Sequence, residues 1–413
     1  MGFTEGLNAF LYQAIQDLAS LSLETVAFWA PLFLVFFFWK AWMYYVQTDF
    51  ISHIDWVLLE IRVPREIEKP LQAMEFVLVA LDQTSAGSNI EQYWTGRVAL
   101  WFSLEIVSIG GDLRLFVRTP KKFKDLVESR IYSQYPDVEI SEAPDYTDLI
   151  NFNKQGGIQL FGTEFVLSKE DPLPIKTYVD YGMREYLDEK QRFDPLTPIF
   201  EYLGSMGPGE QAWFQILVQS AKKRYRKEDG SRGDWKDEGK EYIKKITTEE
   251  KPNKEGLMVP AFFKLTKVAT ENIAAIERNL AKIGFDCCVR TMYIAEKGKF
   301  RAGNIAPLLS AFMQFNSNEG LNGFKKKNVT DLDYPYNVWD GKLGNPIIYK
   351  KKKKMFEAYR MRSGFYPPYQ RKPFVLTTEE LATIFHIPTG ITQTPTLSRI
   401  DSKKAEPPVN LPL

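Results

Sequence analysis

Two histidines, His53 and His386, and two cysteines, Cys287 and Cys288, are the side chains best suited to acid–base, metal or nucleophile chemistry in this 413-residue chain. Their spacing gathers no Cys/His cluster of metal-ligand type. His53 directly follows an apolar run and reads as an interfacial residue. His386, in TIFHIP, reads as a core or helix-terminal histidine. The cysteines are adjacent in the strand-like string FDCCVRTMYIA, so they read as ordinary strand side chains. With no third cysteine a disulfide framework is excluded in practice, which suits a reducing cytoplasm. No GxxxxGK[ST] phosphate loop and no GxSxG elbow occurs. Gly204, Gly207 and Gly209 in LGSMGPGEQ lead into a strand rather than a helix, so they read as a turn, not a phosphate cradle. Carboxylates are plentiful, but nothing singles out a pair for proton transfer. The sequence therefore predicts no catalytic, cofactor-binding or metal-ligating residue, and the chain is read as non-enzymatic.

What remains is the chemistry of positive charge. Lys325, Lys326 and Lys327 form one cluster, and Lys350, Lys351, Lys352, Lys353 and Lys354 form another. Tyr349, Phe356, Tyr359, Arg360 and Arg362 lie near the second. Cations interleaved with aromatics suit nucleic acid or phospholipid headgroups, DNA included. The competing reading is a plain solvated basic face. The net charge of +1 gives no global bias toward nucleic acid.

The element that must position this chemistry is the string TVAFWAPLFLVFFFWKAWMYYV, starting at residue 25. Residues 25–47 are read as a transmembrane helix, since a bilayer crossing takes about 20 apolar residues. Trp29 lies near one end; Trp39, Trp42, Tyr44 and Tyr45 crowd the other as an aromatic belt, and Lys40 is placed to snorkel. Basic residues begin only at Lys40. The charge asymmetry predicts a single-pass inner (cytoplasmic) membrane protein, its N-terminus outside and its bulk in the cytoplasm. A cleaved signal peptide fits poorly, since a basic leader and a small-residue cleavage site are both missing. Residues 1–24 carry Phe3, Leu7, Phe10, Leu11, Ala14, Ile15 and Leu18 at helical spacing and read as an amphipathic helix.

Beyond the anchor the expectation is α+β. Residues 50–150 give strand 56–64, helix 66–82, a hairpin around Gly110 and Gly111, helix 121–136 and a closing strand. This βαββαβ order is that of a ferredoxin-like module. Residues 151–320 echo it as a second, related module, with a charged insertion at 222–256 and the helix–strand pair 264–296 matched to 121–141. Residues 321–413 read as a basic and aromatic segment, a short helix capped by Thr377 or Thr378, and an extended proline-rich tail.

Several long strings, WVLLEIRVPRE, LWFSLEIVSIGGDLRLFVRTPKKFKDLVESRIYSQYPDVEI and RSGFYPPYQRKPFVLTTEELATIFHIP, with TPTLSRIDSKKAEPPVNLP, carry a resemblance. The chain resembles the membrane-anchored N-terminal region of bacterial type IV secretion-like DNA-translocation ATPases of HerA/FtsK type. In that family the region often precedes the motor, joined where this chain reads EPPVNLP. This chain ends at Leu413 without a motor or Walker lysine. The resemblance then implies a scaffold or adaptor in a conjugation-like system, an oligomer seating a HerA/FtsK-type ATPase in trans.

Overall fold

The computed structural model describes residues 2–64, 69–83, 86–153, 157–181, 194–248, 250–252, 258–260, 267–317, 320–331, 345–388 and 399–400. The expected proline-rich tail lies outside the described residues, as does the start of the helix expected at 66–82. The chain divides into two units. One comprises residues 1–54 and 86–98; the other comprises 55–85 and 99–413.

The first unit is built on α1 (Gly2–Ser52), one helix through both the expected amphipathic segment and the expected span. After Gly6 its only helix breaker is Pro31. A single proline removes one hydrogen bond and leaves long flanks able to continue. The apolar face expected over residues 3–18 rests on side chains outside those described. Residues 86–98 complete this unit with one wide turn, Glu91–Thr95.

The second unit opens with β1 (Trp56–Pro64), α2 (Gln72–Val79), β2 (Phe102–Ile109), β3 (Asp112–Pro120), α3 (Lys124–Gln134) and β4 (Glu139–Glu142). Their order across the sheet is β4-β1-β3-β2, each pair antiparallel. Then come β5 (Ile158–Leu167), α4 (Thr197–Gly204) and β6 (Glu210–Ser220). An excursion follows with β7 (Tyr225–Arg226), β8 (Arg232–Gly233), α5 (Trp235–Thr248), β9 (Glu250–Pro252), β10 (Met258–Pro260) and α6 (Lys267–Leu280). The chain returns through β11 (Gly284–Glu296), α7 (Ile305–Ser310) and β12 (Phe324–Lys327). This half has the order β12-β5-β11-β6, again all antiparallel. Pairing of β2 with β6 fuses the halves into one large antiparallel sheet. The fold is α+β.

Each half thus runs strand, helix, two strands, helix, strand, with the same spatial order. Sheet position matches β3-α3-β4 to β11-α7-β12. The sequence-based match of 121–141 to 264–296 therefore shifts: α6 belongs to the excursion, which replaces the tight turn at Gly110 and Gly111. The charged insertion at 222–256 contains a two-residue hairpin and α5, so it is helical over 235–248.

Residues 321–413 supply further elements of this unit: β12, α8 (Asn345–Arg360), β13 (Phe374–Thr377), α9 (Thr378–Ile384) and β14 (Arg399–Ile400). β13 pairs with Gly284–Cys287 of β11, and β14 lies parallel to the end of β1. Thr377, rather than Thr378, caps α9 in a reciprocal box with Glu380.

Alternation along the strands sets two buried faces. Leu59 and Ile61, Leu104 and Ile106, and Phe214 and Ile216 point to the main core, with α2, α3, α4, α7 and α9. Leu58, Val107, Phe116, Trp213 and Met292 point the other way, against Met355, Phe356 and Tyr359 of α8.

Candidate functional site

α1 carries one stretch, Trp29–Ser52, long and apolar enough to cross a membrane. Leu32 through Trp39 are all exposed, as a bilayer-facing helix requires. Trp29, Trp39, Tyr44 and Tyr45 are exposed too, while Trp42 is half-buried. Lys40 lies over the Phe36 ring at 5.6 Å. Residues 53–55 alone separate the end of α1 from the start of β1.

The structure separates the predicted basic residues into three settings. Lys325, Lys326 and Lys327 are exposed on β12, a short strand at the sheet edge, where lysines discourage further strand pairing. Lys325 and Lys327, two apart on the strand, also line a cavity of about 570 Å³. Lys169, Lys222, Arg224, Arg226 and Lys372 line it with them, opposed by Glu170, Asp171 and Glu238. Arg224 is held by Asp171 at 3.3 Å and by Asp286. Among the described residues, Lys169, Lys222, Arg226, Lys325, Lys327 and Lys372 have no carboxylate within ion-pair distance. Lys222 instead donates to the Tyr366 hydroxyl at 2.6 Å and sits over its ring. Burial, then Asp171 and Glu170, push the Glu238 carboxyl up to about 7. Burial pushes Asp286 up to about 6. The cavity is therefore net cationic near neutral pH. Only Lys325 and Lys327 were legible from sequence, as part of a lysine cluster; the other cations arrive from distant segments with no shared motif.

The second cluster lies on α8. Lys350, Lys351, Lys353 and Lys354 are exposed. Lys352 faces inward in part, and burial lowers its ammonium below the usual range against the pull of Asp331. The lysine run hides an amphipathic helix whose inner positions are Lys352, Met355, Phe356 and Tyr359. Arg360 is exposed and pairs with Asp148 at 2.9 Å.

Arg362 is the exception to the predicted basic surface. It is fully buried, so it offers nothing to nucleic acid or lipid. The end of α8 turns it inward: its φ is +48° and the Ser363 N–H reaches back to Ala358 O at 3.0 Å. Its guanidinium grips Glu105 through Nε at 2.9 Å and Nη2 at 3.1 Å, and also holds Asp145. The Tyr146 hydroxyl donates to Glu105 at 2.8 Å, and Gln215 donates to it at 3.0 Å. Burial pushes Glu105 up, but the charge and hydrogen bonds of Arg362 outweigh it and hold the carboxyl below its ordinary range.

The sequence also singled out the two cysteines, the two histidines and the glycine turn before β6. Both thiols are buried in β11, and burial pushes both up, Cys288 to about 12 and Cys287 well above its ordinary value. His386 is buried after α9, with Nδ1 2.8 Å from Ala382 O and Nε2 3.0 Å from Asp194. His53 is exposed beside the Asp49 carbonyl at 2.8 Å. Gly207 and Gly209 turn the chain into β6, the Gly207 N–H bonding Glu210 at 2.9 Å. Among the described residues no group of three His, Cys, Asp or Glu is arranged to hold a metal ion.

Residues 51–399 match the family described as Domain of unknown function (DUF8128). The chain belongs to the DUF8128 family. The matched region begins at the end of α1 and takes in the sheet and all its helices, so the DUF8128 domain includes the cavity and the Arg362 network. A search of curated proteins finds no match to the chain.

Proposed function

We propose that this DUF8128 protein is a membrane-tethered, non-enzymatic adaptor. The observation that carries the reading is the exposed apolar stretch Trp29–Ser52, joined to a large sheet domain by only residues 53–55. A span so closely coupled confines the domain to a membrane surface. The lysine asymmetry supports an outside N-terminus and a cytoplasmic domain at the inner membrane. The repeated strand order supports two ferredoxin-like modules sharing one sheet. The resemblance to the anchor regions of type IV secretion-like ATPases supports a separate HerA/FtsK-type motor as the partner, seated by an oligomer of this chain. Crosslinking in native membranes, followed by purification of the full chain, tests this. The expected result is recovery of such an ATPase; its consistent absence would overturn the adaptor role.

The cationic cavity favours a second reading, a tethered nucleic-acid-binding module. Each phosphate neutralised on duplex DNA contributes about −0.9 to the slope of log affinity against log salt. Full chain in nanodiscs should then bind duplex DNA with a steep salt dependence that flattens when Lys325 and Lys327 become alanine. Absent or salt-insensitive binding would sink this reading.

A further inference from the structure

Residues 86–98 have no part in the adaptor role, yet they are held with care. The Ser88 N–H donates to Glu91 at 2.7 Å, and the Glu91 N–H donates to Ser88 Oγ at 3.3 Å. This reciprocal pair starts the wide turn Glu91–Thr95. Gly96 ends it at φ +68°, and a Cβ there would stand 2.0 Å from the Val46 carbonyl oxygen. Only glycine lets the segment lie that close to the α1 backbone. The Trp42 indole N–H donates to Tyr93 O at 2.8 Å. Trp39 packs edge-on against Tyr93, and Trp42 against Trp94.

Clamped in this way, the segment turns large apolar groups outward. Ile90 is 71% exposed and Trp94 70%, with Tyr93 also exposed. The charges beside them cancel: Arg97 pairs with Glu91 at 2.6 Å. The level of the segment follows from α1. The stretch Trp29–Ser52 rises about 35 Å, slightly more than the roughly 30 Å of a hydrocarbon core. Trp42 and Val46 lie in its C-terminal half with Tyr44 and Tyr45, and Trp39 just before them, in the aromatic belt where amphipathic rings approach headgroups. A segment docked on Trp39, Trp42 and Val46 lies at the same boundary.

We propose that Ile90, Tyr93 and Trp94 form a second anchor, a wedge inserted at the headgroup–acyl boundary of the bilayer beside the end of the α1 span. The occupant is phospholipid, because the patch is continuous with the exposed aromatic belt of α1. The proposal rests on α1 crossing a membrane.

The test uses the full chain in phospholipid vesicles. The native thiols are buried and raised, so an introduced cysteine takes an environment-sensitive fluorophore selectively. Ile90→Cys and Trp94→Cys each leave the other apolar group in place. Phe36→Cys reports the span, and the fluorophore's free cysteine adduct in buffer reports water. With nitroxide lipids, labels at 90 and 94 should be blue-shifted and quenched most by shallow nitroxides, the label at 36 most by deep ones, and the free adduct by neither. Labels at 90 and 94 as aqueous as the free adduct, with 36 still quenched by lipid, would overturn the wedge and leave the span intact. A label at 36 in water would overturn both.

Discussion

Two cationic regions of the sheet unit differ in what surrounds their charge. Arg362 is buried and matched by Glu105 and Asp145, with Ser103, Tyr146 and Gln215 also donating to Glu105. The cavity beside β12 gathers six cations without ion-pair partners among the described residues, at an open surface. Charge taken out of water must be compensated, or the fold loses several kcal/mol. Charge left in water adds little to stability and remains available to an anionic partner. Neutralising the first region should therefore damage the fold, and neutralising the second should damage binding.

The largest effect expected is from Arg362→Ala. It strands Glu105 without its cation and should lower stability by about 3–5 kcal/mol, read by denaturant unfolding of the detergent-solubilised chain. A loss below 1 kcal/mol would break the contrast.

Glu380 sharpens the comparison as a buried carboxyl held by N–H and hydroxyl donors but by no cation among the described residues. Burial pushes it up to about 7. Its folded pKa lies above the unfolded value of about 4.3, so its contribution is complete below that pH and is lost as pH rises toward 7. The wild-type chain should lose on the order of 2–3 kcal/mol over that window relative to Glu380→Gln, at about 1.4 kcal/mol per unit. Parallel pH–stability profiles for the two proteins would contradict this.

Thr377→Ala removes the cap of α9 and should lower stability by about 1 kcal/mol, visible as a shift in urea midpoint. The smallest stability effect is expected in the cavity. Lys325→Ala with Lys327→Ala should change stability by less than about 0.5 kcal/mol. The same pair should reduce the salt slope of polyanion binding by about 1 for each phosphate contact removed. A stability loss as large as that of Arg362→Ala would mean the cavity lysines are structural.

The first half of the sheet was legible because its strands alternate or run apolar, and because Gly110 and Gly111 mark a hairpin. The anchor was legible because length and hydropathy alone define a span. α8 was missed because consecutive lysines mask its inner positions, Met355, Phe356 and Tyr359. β12 was missed because an edge strand of three lysines lacks the apolar pattern that marks a strand. Arg362 read as surface because composition cannot reveal a buried partner; Glu105 lies 257 positions away. The cavity shares that problem, since its cations come from β12, from the segment after β6 and from Lys372. The clamp on α1 left faint signals, the Ser88–Glu91 spacing and the Tyr93–Trp94 pair, in a stretch to which no element was assigned from sequence.

The adaptor role, the tethered nucleic-acid role and the interfacial wedge all require α1 to cross a bilayer. Alkaline carbonate extraction of membranes containing the full chain measures that directly. Retention in the membrane pellet is the predicted result, and release into the supernatant, alongside a peripheral control protein, would contradict it.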